Sequence, residues 1–419
     1  MLKNVFFLML FPLFLNTLQA QDTIRMMHYN LLYYGETTSW CTSTNNNIDT
    51  KAAYITEIID HTLPNIFTVN EMGNSQYAVG HLIGNALNVN GRNYYNVAAI
   101  LNNDGSSIIN MMYYDSRVLK LLSQLSVPTG IRDINIYKMQ TLNTNEPVEF
   151  HVAIAHLKAG EGDTEEGIRA DMISDYMDFL SGYSDKTNWI FAGDMNFYTS
   201  AETGFQYLMN PAAGNVQFAD PVDQIGAWHN NYFYRDYHTQ STHSVETECP
   251  SYGGLDDRFD FIFVSEDVIT GDNDMLYVPE SYETLGQDGN HFNDAVNYGT
   301  NNSAPANVIE ALYNASDHLP VLAEFVIGSG NYISVESTDG IDIRTNVNAN
   351  GNVKIDIEQS VPAKGSIRVY NLTGQRVASL YFDAVATQGL DLHIPHRGMY
   401  ILDVTTNDKQ ERVITRFVR

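Results

Sequence analysis

The sequence predicts an α/β protein: two packed β-sheets with helices outside, followed by a small C-terminal β-sandwich. Three observations predict it. Over residues 24–327, apolar runs of strand length outnumber long helical repeats. Beyond about residue 350 the pattern becomes short alternating strands separated by turn residues. Charge changes with it: residues 21–330 carry 40 acids against 12 Lys and Arg, a net of −28, whereas residues 331–419 balance 10 against 10. The shift near Ile327-Gly328-Ser329-Gly330 divides the chain into a domain over 21–327, a linker over 328–350 and a second domain over 351–419.

The elements follow in order. Residues 1–20 begin with Lys3, run apolar and end Leu18-Gln19-Ala20, the form of a cleavable signal peptide. No later run approaches the roughly 18 apolar residues of a spanning helix, so the mature chain is expected to be secreted or held at the cell surface. Residues 24–30 read as a strand. Residues 50–59 read as a helix capped by Asp49 or Thr50. Strands follow at 66–69, 97–100, 108–114 and 148–155. An amphipathic helix spans 167–182, with Ile168, Met172, Met177 and Leu180 on its apolar side. Strands at 189–192, 259–264 and 321–326 complete the series. In the tail, 352–357, 365–370 and 398–404 alternate, and Asn371-Leu372-Thr373-Gly374-Gln375 reads as a turn.

Composition narrows the function. The acidic surface repels nucleic-acid phosphates at long range and argues against tight sequence-specific DNA binding. Turnover of a phosphoester stays open, because a bound divalent cation inverts the local field. Cys41 and Cys249 are the only cysteines. In an oxidising compartment they either close one large loop or stay as two thiols, and neither lies in a CxxC or zinc spacing.

Four separated segments carry acid, amide or imidazole groups beside apolar runs: Val69-Asn70-Glu71, Gly193-Asp194-Met195-Asn196, Arg258-Phe259-Asp260-Phe261 and Ser316-Asp317-His318. Glu71, at the end of a buried strand, is a candidate hard oxygen ligand for Mg²⁺ or Ca²⁺. Asp194 and Asn196 are two apart, so continued extended geometry would aim both the same way. One would hold a water or accept its proton and the other donate to a phosphoryl oxygen. His318 is the candidate acid–base group, since its ordinary pKa permits proton transfer near neutrality. Asp260 is the better partner to orient it, because adjacent Asp317 would point elsewhere in extended chain. Asp317 is instead a candidate contact to a metal-bound water. His156, after Val152-Ala153-Ile154-Ala155, is a candidate phosphoryl-oxygen contact. The other ten histidines form no metal motif and are assigned no chemistry; His28 and His151 are expected on a wet strand face. Thr270-Gly271-Asp272-Asn273-Asp274 falls short of an EF-hand and reads as a solvated turn.

The segment 24–327 resembles the endonuclease/exonuclease/phosphatase superfamily. The matches are Met27-His28-Tyr29-Asn30, Val69-Asn70-Glu71-Met72, Tyr113-Tyr114-Asp115-Ser116-Arg117, Ala155-His156-Leu157, Gly193-Asp194-Met195-Asn196-Phe197, Arg258-Phe259-Asp260-Phe261-Ile262-Phe263 and Ser316-Asp317-His318-Leu319-Pro320-Val321. Asn70 stands where the family usually has Gln. The resemblance implies a four-layer, DNase I-like α/β sandwich with a Mg²⁺ site, Mn²⁺ or Ca²⁺ being the substitutes. It implies that Glu71 holds the metal and Asn30 helps to position it. It implies that Asp194 and Asn196 orient water and phosphate, that His318 paired with Asp260 is general base or phosphate stabiliser, and that His156 contacts the phosphate from the opposite side. Tyr114 is a possible oxygen donor, with packing the preferred role. The tail, with Val369-Tyr370-Asn371-Leu372-Thr373-Gly374-Gln375-Arg376-Val377 and Gly398-Met399-Tyr400-Ile401-Leu402, resembles a C-terminal sorting domain of the type IX secretion system, a carbohydrate-binding sandwich being the alternative. That resemblance implies the secretion machinery as a partner.

The leading expectation is a secreted nuclease that cuts DNA or RNA by Mg²⁺-assisted in-line water attack, nucleic acid being substrate rather than stable partner. Asn45-Asn46-Asn47 would then sit near a groove. The second is a phosphodiesterase or phosphatase of a small or lipid-linked phosphoester, sphingomyelinase-like, with Tyr232-Phe233-Tyr234 as a membrane patch or as core. The third is a catalytically silent surface adhesin, which would need no complete acid and His set.

Overall fold

The computed structural model describes residues 23–142, 147–247, 249–328, 332–337, 341–347, 352–371, 375–394, 399–407 and 412–418. The expected signal peptide lies outside them. In chain order the large domain runs β1 (Thr23–Tyr34), α1 (Ile48–Thr62), β2 (Ile66–Gly73), α2 (Gln76–Leu82), β3 (Tyr95–Val97), β4 (Ile108–Asp115), β5 (Leu119–Val127), β6 (Ile134–Thr141), β7 (Glu149–His156), α3 (Asp163–Gly182), β8 (Trp189–Asp194), α4 (Thr203–Met209), β9 (Phe218–Ala219), β10 (Asp260–Ser265), α5 (Glu266–Thr270), β11 (Met275–Tyr277), β12 (Glu283–Thr284), α6 (Ala306–Ala315) and β13 (Val321–Ile327). One sheet has the order β11-β13-β1-β2-β4-β3, with β12 also on β13; the other has β5-β6-β7-β8-β10-β9. The β1–β2 and β7–β8 pairs are parallel.

Strand alternation sorts side chains into layers. Ile24, Met26, Ile66, Met112, Val152, Ile154, Ile190, Ala192, Ile262 and Val264 share one buried cluster between the sheets. Their neighbours in β1 and β2, such as Met27, Tyr29, Phe67 and Val69, pack outward with Ile55 and Ile58 of α1 and Leu312 of α6. On the other sheet Ala153, Phe191, Phe261 and Phe263 pack outward with Met172, Tyr176 and Leu180 of α3 and Phe205 of α4. The result is a four-layer helix–sheet–sheet–helix sandwich, as expected. Each fully buried large apolar side chain contributes about 1.5–3 kcal/mol.

Several details differ from the sequence reading. The α1 cap is Asn47, whose side chain accepts from the amides of Asp49 and Thr50. The strand expected at 97–100 is Tyr95–Val97. Strands β5 and β6 were not anticipated; β5 is largely half-buried, so its pattern is weak. His28 and His151 are on no wet face. Both are fully buried, because each sheet is covered on both sides.

The segment expected as a linker carries two strands of the C-terminal unit, β14 (Tyr332–Ser337) and β15 (Ile341–Val347). They continue into β16 (Asn352–Gln359), β17 (Gly365–Asn371), β18 (Arg376–Phe382), β19 (Thr387–His393), β20 (Met399–Thr406) and β21 (Arg412–Val418). Two antiparallel four-stranded sheets result, β14-β15-β16-β19 and β18-β17-β20-β21, around Ile343, Val353, Ile355, Ile367, Val369 and Leu402. Backbone pairing of the two early strands outweighs the glycine punctuation that marked a linker. The turn expected at 371–375 falls mostly outside the described residues.

Candidate metal-dependent active site

The site is the polar end of the inter-sheet layer. The strands that bury Val152 and Ala192 end in His156 and Asp194, and the antiparallel strand that buries Ile262 begins with Asp260, all three of the same parity. Register places them in one line, with His156 opposite Asp194 and Asp194 opposite Asp260. Across from them on the first sheet, Asn30 pairs with Asn70. Gly193 permits this spacing, because a Cβ there would collide with the carbonyl oxygen of Ala155. Asn70 accepts the backbone N–H of Asp194 at 2.8 Å and donates to Asn110 Oδ1 at 2.7 Å, tying the two sheets together.

Glu71 reaches this layer through a bulge. Register against β4 shifts between Val69 and Met72, and Glu71 is left-handed at φ 56°. The bulge carries its carboxylate to the β1 terminus. There Oε1 accepts from Asn30 Nδ2 at 3.2 Å and Oε2 from the Tyr33 amide at 3.1 Å. Asn30 Nδ2 also donates to Asp194 Oδ2 at 3.0 Å, while its Oδ1 accepts from Leu32 N. Asn30 thus bridges two acids as a donor. Asn196 is left-handed too, at φ 52°, so extended geometry stops at Asp194 and the same-face argument fails. Its amide N–H closes onto Asp194 Oδ1 at 3.2 Å, and its Nδ2 donates to the Leu157 carbonyl.

His318 lies at the centre. Nδ1 is 2.7 Å from Asp260 Oδ2 and Nε2 is 3.8 Å from Asp194 Oδ2. The turn holding it is pinned by Ser316, whose Oγ donates to the Asn30 carbonyl and accepts the His318 amide. Burial alone would lower the His318 pKa, but the Asp260 and Asp194 carboxylates raise it well above its ordinary value. Burial pushes the Asp194 carboxyl up to about 7, with Asp260 and Glu71 adding to it and His318 opposing. Burial and Asp317 raise Glu71. His156 is driven well down by burial and by Arg132. Asp317 Oδ2 accepts from Ser251 N at 2.9 Å and lies 3.4 Å from Gln240 Nε2.

Glu71, His156 and Asp194 offer ligand atoms within 4.8 Å of one another. Two of the three are carboxylates with raised pKa values, which is the strain that a divalent cation relieves, so the donor set fits one. Asp317 is outside this trio. A second group, His229, Asp256 and Asp257, also meets that spacing but is more exposed. Tyr114 packs in the inter-sheet core at the end of β4 that pairs with the start of β2, the end remote from Glu71. Tyr232 and Phe233 are exposed at 55% and 84%. Cys41 and Cys249 form a disulfide.

Sequence reasoning missed four contributors. Gln240 Nε2 lies 2.7 Å from His318 Nε2. Arg132 holds the carbonyls of His156 and Leu157 at 2.8 and 2.7 Å. Buried Lys51 donates to Leu31 O and Leu32 O. Fully buried His28 stands 3.9 Å from Asp260 Oδ1. Only Lys51 leaves a sequence signal, a lone cation one position before the apolar stripe of α1.

Fold and site together define a four-layer α/β domain with an acid-rich polar site at one end of its inter-sheet layer. Residues 348–418 match the family model described as a secretion system C-terminal sorting domain. The chain is thus an α/β domain followed by a segment that matches a sorting domain, and that match supports export to the cell surface or beyond. Similar solved structures include an endonuclease/exonuclease/phosphatase from Beutenbergia cavernae DSM 12333 (12% identity, 96% of this chain and 100% of that one, TM-score 0.44). Another is the endonuclease/exonuclease/phosphatase from Bacteroides vulgatus (15%, 74% and 100%, TM-score 0.47). A third is D. rerio TDP2 complexed with a single-strand DNA product (13%, 73% and 99%, TM-score 0.46). At these TM-scores they carry no residue roles to this chain. A search of curated proteins finds no match.

Proposed function

We propose that the large domain is an exported, divalent-metal-dependent phosphodiester hydrolase. The supporting observation is the convergence of the Glu71–His156–Asp194 group with the His318–Asp260 pair at one end of the inter-sheet layer. A bound cation, Mg²⁺ on this carboxylate-rich set, supplies neutralisation of phosphoryl and leaving-oxygen charge. The chain's residues do the rest. Asp260 holds His318 by Nδ1, so Nε2 donates to a non-bridging oxygen once substrate takes the place of its Gln240 contact. Asp194, held by Asn30 Nδ2 and the Asn196 amide, orients the attacking water and takes its proton. His156 contacts the phosphate from its own side. Water attacks in line, without a covalent enzyme intermediate.

Among substrates, a small phosphodiester fits better than nucleic acid. The net charge of −28 over residues 21–330 opposes a polyanion. The asparagines expected at a groove are spent internally: Asn46 donates to Leu32 O and Tyr33 O, Asn45 to Trp40 O, and Asn47 caps α1. The lipid-linked form of this reading has a patch in exposed Tyr232 and Phe233. The nuclease reading draws on Lys158, an amine two residues beyond His156. The test is EDTA-sensitive hydrolysis by the full mature chain, wild type beside His318→Ala, on plasmid DNA, RNA, a bis-aryl phosphodiester and sphingomyelin. Activity lost in the variant supports the proposal and the hydrolysed substrate picks the reading. No EDTA-sensitive activity on any of the four would sink it.

A further inference from the structure

We propose that the cavity behind the Ser316-Asp317-His318 turn binds a hydroxyl-rich ligand, a single sugar or polyol unit. The cavity measures about 280 Å³ and is walled by Leu32, Asn46, Lys51, His243, Pro250 and Ser316. Of its polar lining, Asn46, Lys51, His243 and Ser316 are buried, whereas Asn45, Thr247 and Asn314 are exposed. Buried polar groups around a cavity demand partners, and the directions of their hydrogen bonds say which.

Thr242 has one hydroxyl proton, donated to the Ser316 carbonyl at 2.7 Å. A carbonyl only accepts, so that direction is fixed. Thr242 Oγ1 also lies 2.9 Å from His243 Nδ1. With its own proton spent, Oγ1 must accept there, and Nδ1 carries the imidazole hydrogen. Burial lowers the His243 pKa, so the ring is neutral near pH 7 and Nε2 is a lone-pair acceptor. Tyr313 packs on the ring with centroids 4.0 Å apart and fixes its orientation.

Lys51 provides the opposite polarity. Its Nζ gives two hydrogens to Leu31 O at 2.9 Å and Leu32 O at 2.6 Å, leaving one to give among the described residues. Burial lowers the Lys51 pKa to about 7, so its charged form is populated near and below neutrality, and there the cavity pairs an acceptor with this donor. A hydroxyl meets both. An inorganic anion would face the His243 lone pair, and a hydrocarbon would leave both groups unpaired. The volume is near the low end of small-molecule sites, room for one ring.

The cavity shares a wall with the active site. Ser316 precedes Asp317, and Thr242 N donates to the Asp317 carbonyl at 3.0 Å. As the seat of the alcohol part of a phosphoester, the assignment rests on the phosphohydrolase reading; as a binding site, it does not.

The test is calorimetric binding by the full mature chain in EDTA, where hydrolysis plays no part. The probes are glucose, myo-inositol, ribose, cyclohexanol and inorganic phosphate. The expected result is binding of at least one polyhydroxy probe, weaker binding of cyclohexanol with its single hydroxyl, none of phosphate, and about tenfold or greater weakening in His243→Phe, which keeps a ring against Tyr313. Ribose preferred over hexose or inositol would identify a nucleotide sugar as the source. In the unmodified chain, ¹⁵N NMR of His243 should show the Nδ1–H tautomer and an Nε2 shift on adding the bound probe. Phosphate binding without polyol binding, no binding at all, or an unmoved Nε2 would each overturn the assignment. Binding without hydrolysis of any phosphoester would remove the enzymatic reading alone.

Discussion

Asp194→Asn should abolish hydrolysis and yet stabilise the metal-free protein. In the fold, the Asp194 carboxyl rises from an ordinary 3.8 to about 7, chiefly through burial. Between those values the folded state holds a proton that the unfolded state has lost. Stability therefore falls as pH climbs through that window, and the full penalty stands above about pH 7. At 1.36 kcal/mol per pH unit the penalty is about 4 kcal/mol. Asparagine cannot ionise and escapes it. Against this, Asp194 accepts from both Asn30 Nδ2 and Asn196 N, and an Asn amide can accept only one of them. The mispaired donor costs about 1–3 kcal/mol. The net gain is about 1–3 kcal/mol, a rise of about 2–6 °C in Tm for a domain of this size. Thermal denaturation in EDTA at about pH 8 measures it. The gain should vanish near pH 4, where the wild-type carboxyl is protonated in the fold. Millimolar Mg²⁺ should raise the wild-type Tm and leave the variant unmoved. A variant less stable than wild type in EDTA at about pH 8 would refute the reasoning, because Asp194 would then be a structural acceptor and not a strained ligand.

His318→Ala should lower kcat by about 10²–10⁴ with little change in KM, as steady-state kinetics would show, and should also lower Tm, because Asp260 loses its buried partner. Arg258→Met should cost about 3–5 kcal/mol in urea titration, since Arg258 bonds Asp220 at 2.7 and 2.9 Å and both are buried. Cys41→Ser with Cys249→Ser opens a loop spanning 208 residues, and the chain-entropy model puts the loss at about 5 kcal/mol, readable as a fall in the denaturation midpoint of oxidised against variant protein.

What the sequence made legible was whatever follows from strand parity and residue type. Alternation carried the apolar inter-sheet face of β7, β8 and β10 straight into His156, Asp194 and Asp260. An acid or imidazole bounding such a run is visible in one dimension. Partnership between Asp260 and His318, 58 positions apart, needed only the argument that adjacent Asp317 points elsewhere. Some of the failures lie where the backbone leaves regular geometry. Glu71 enters the site through a left-handed bulge, and Asn196 leaves the strand that its same-face role required. Gln240 sits among isolated bridges to Asp257 and His318, with no period to read. His28 was placed on water because alternation tells which face a residue occupies, not what covers that face. Only the second sheet, with Asp260 3.9 Å away, makes it dry. Lys51 shows the remaining route: a cation beside an apolar helical stripe breaks the expected pattern, and such a break marks a group whose partner lies elsewhere in the fold.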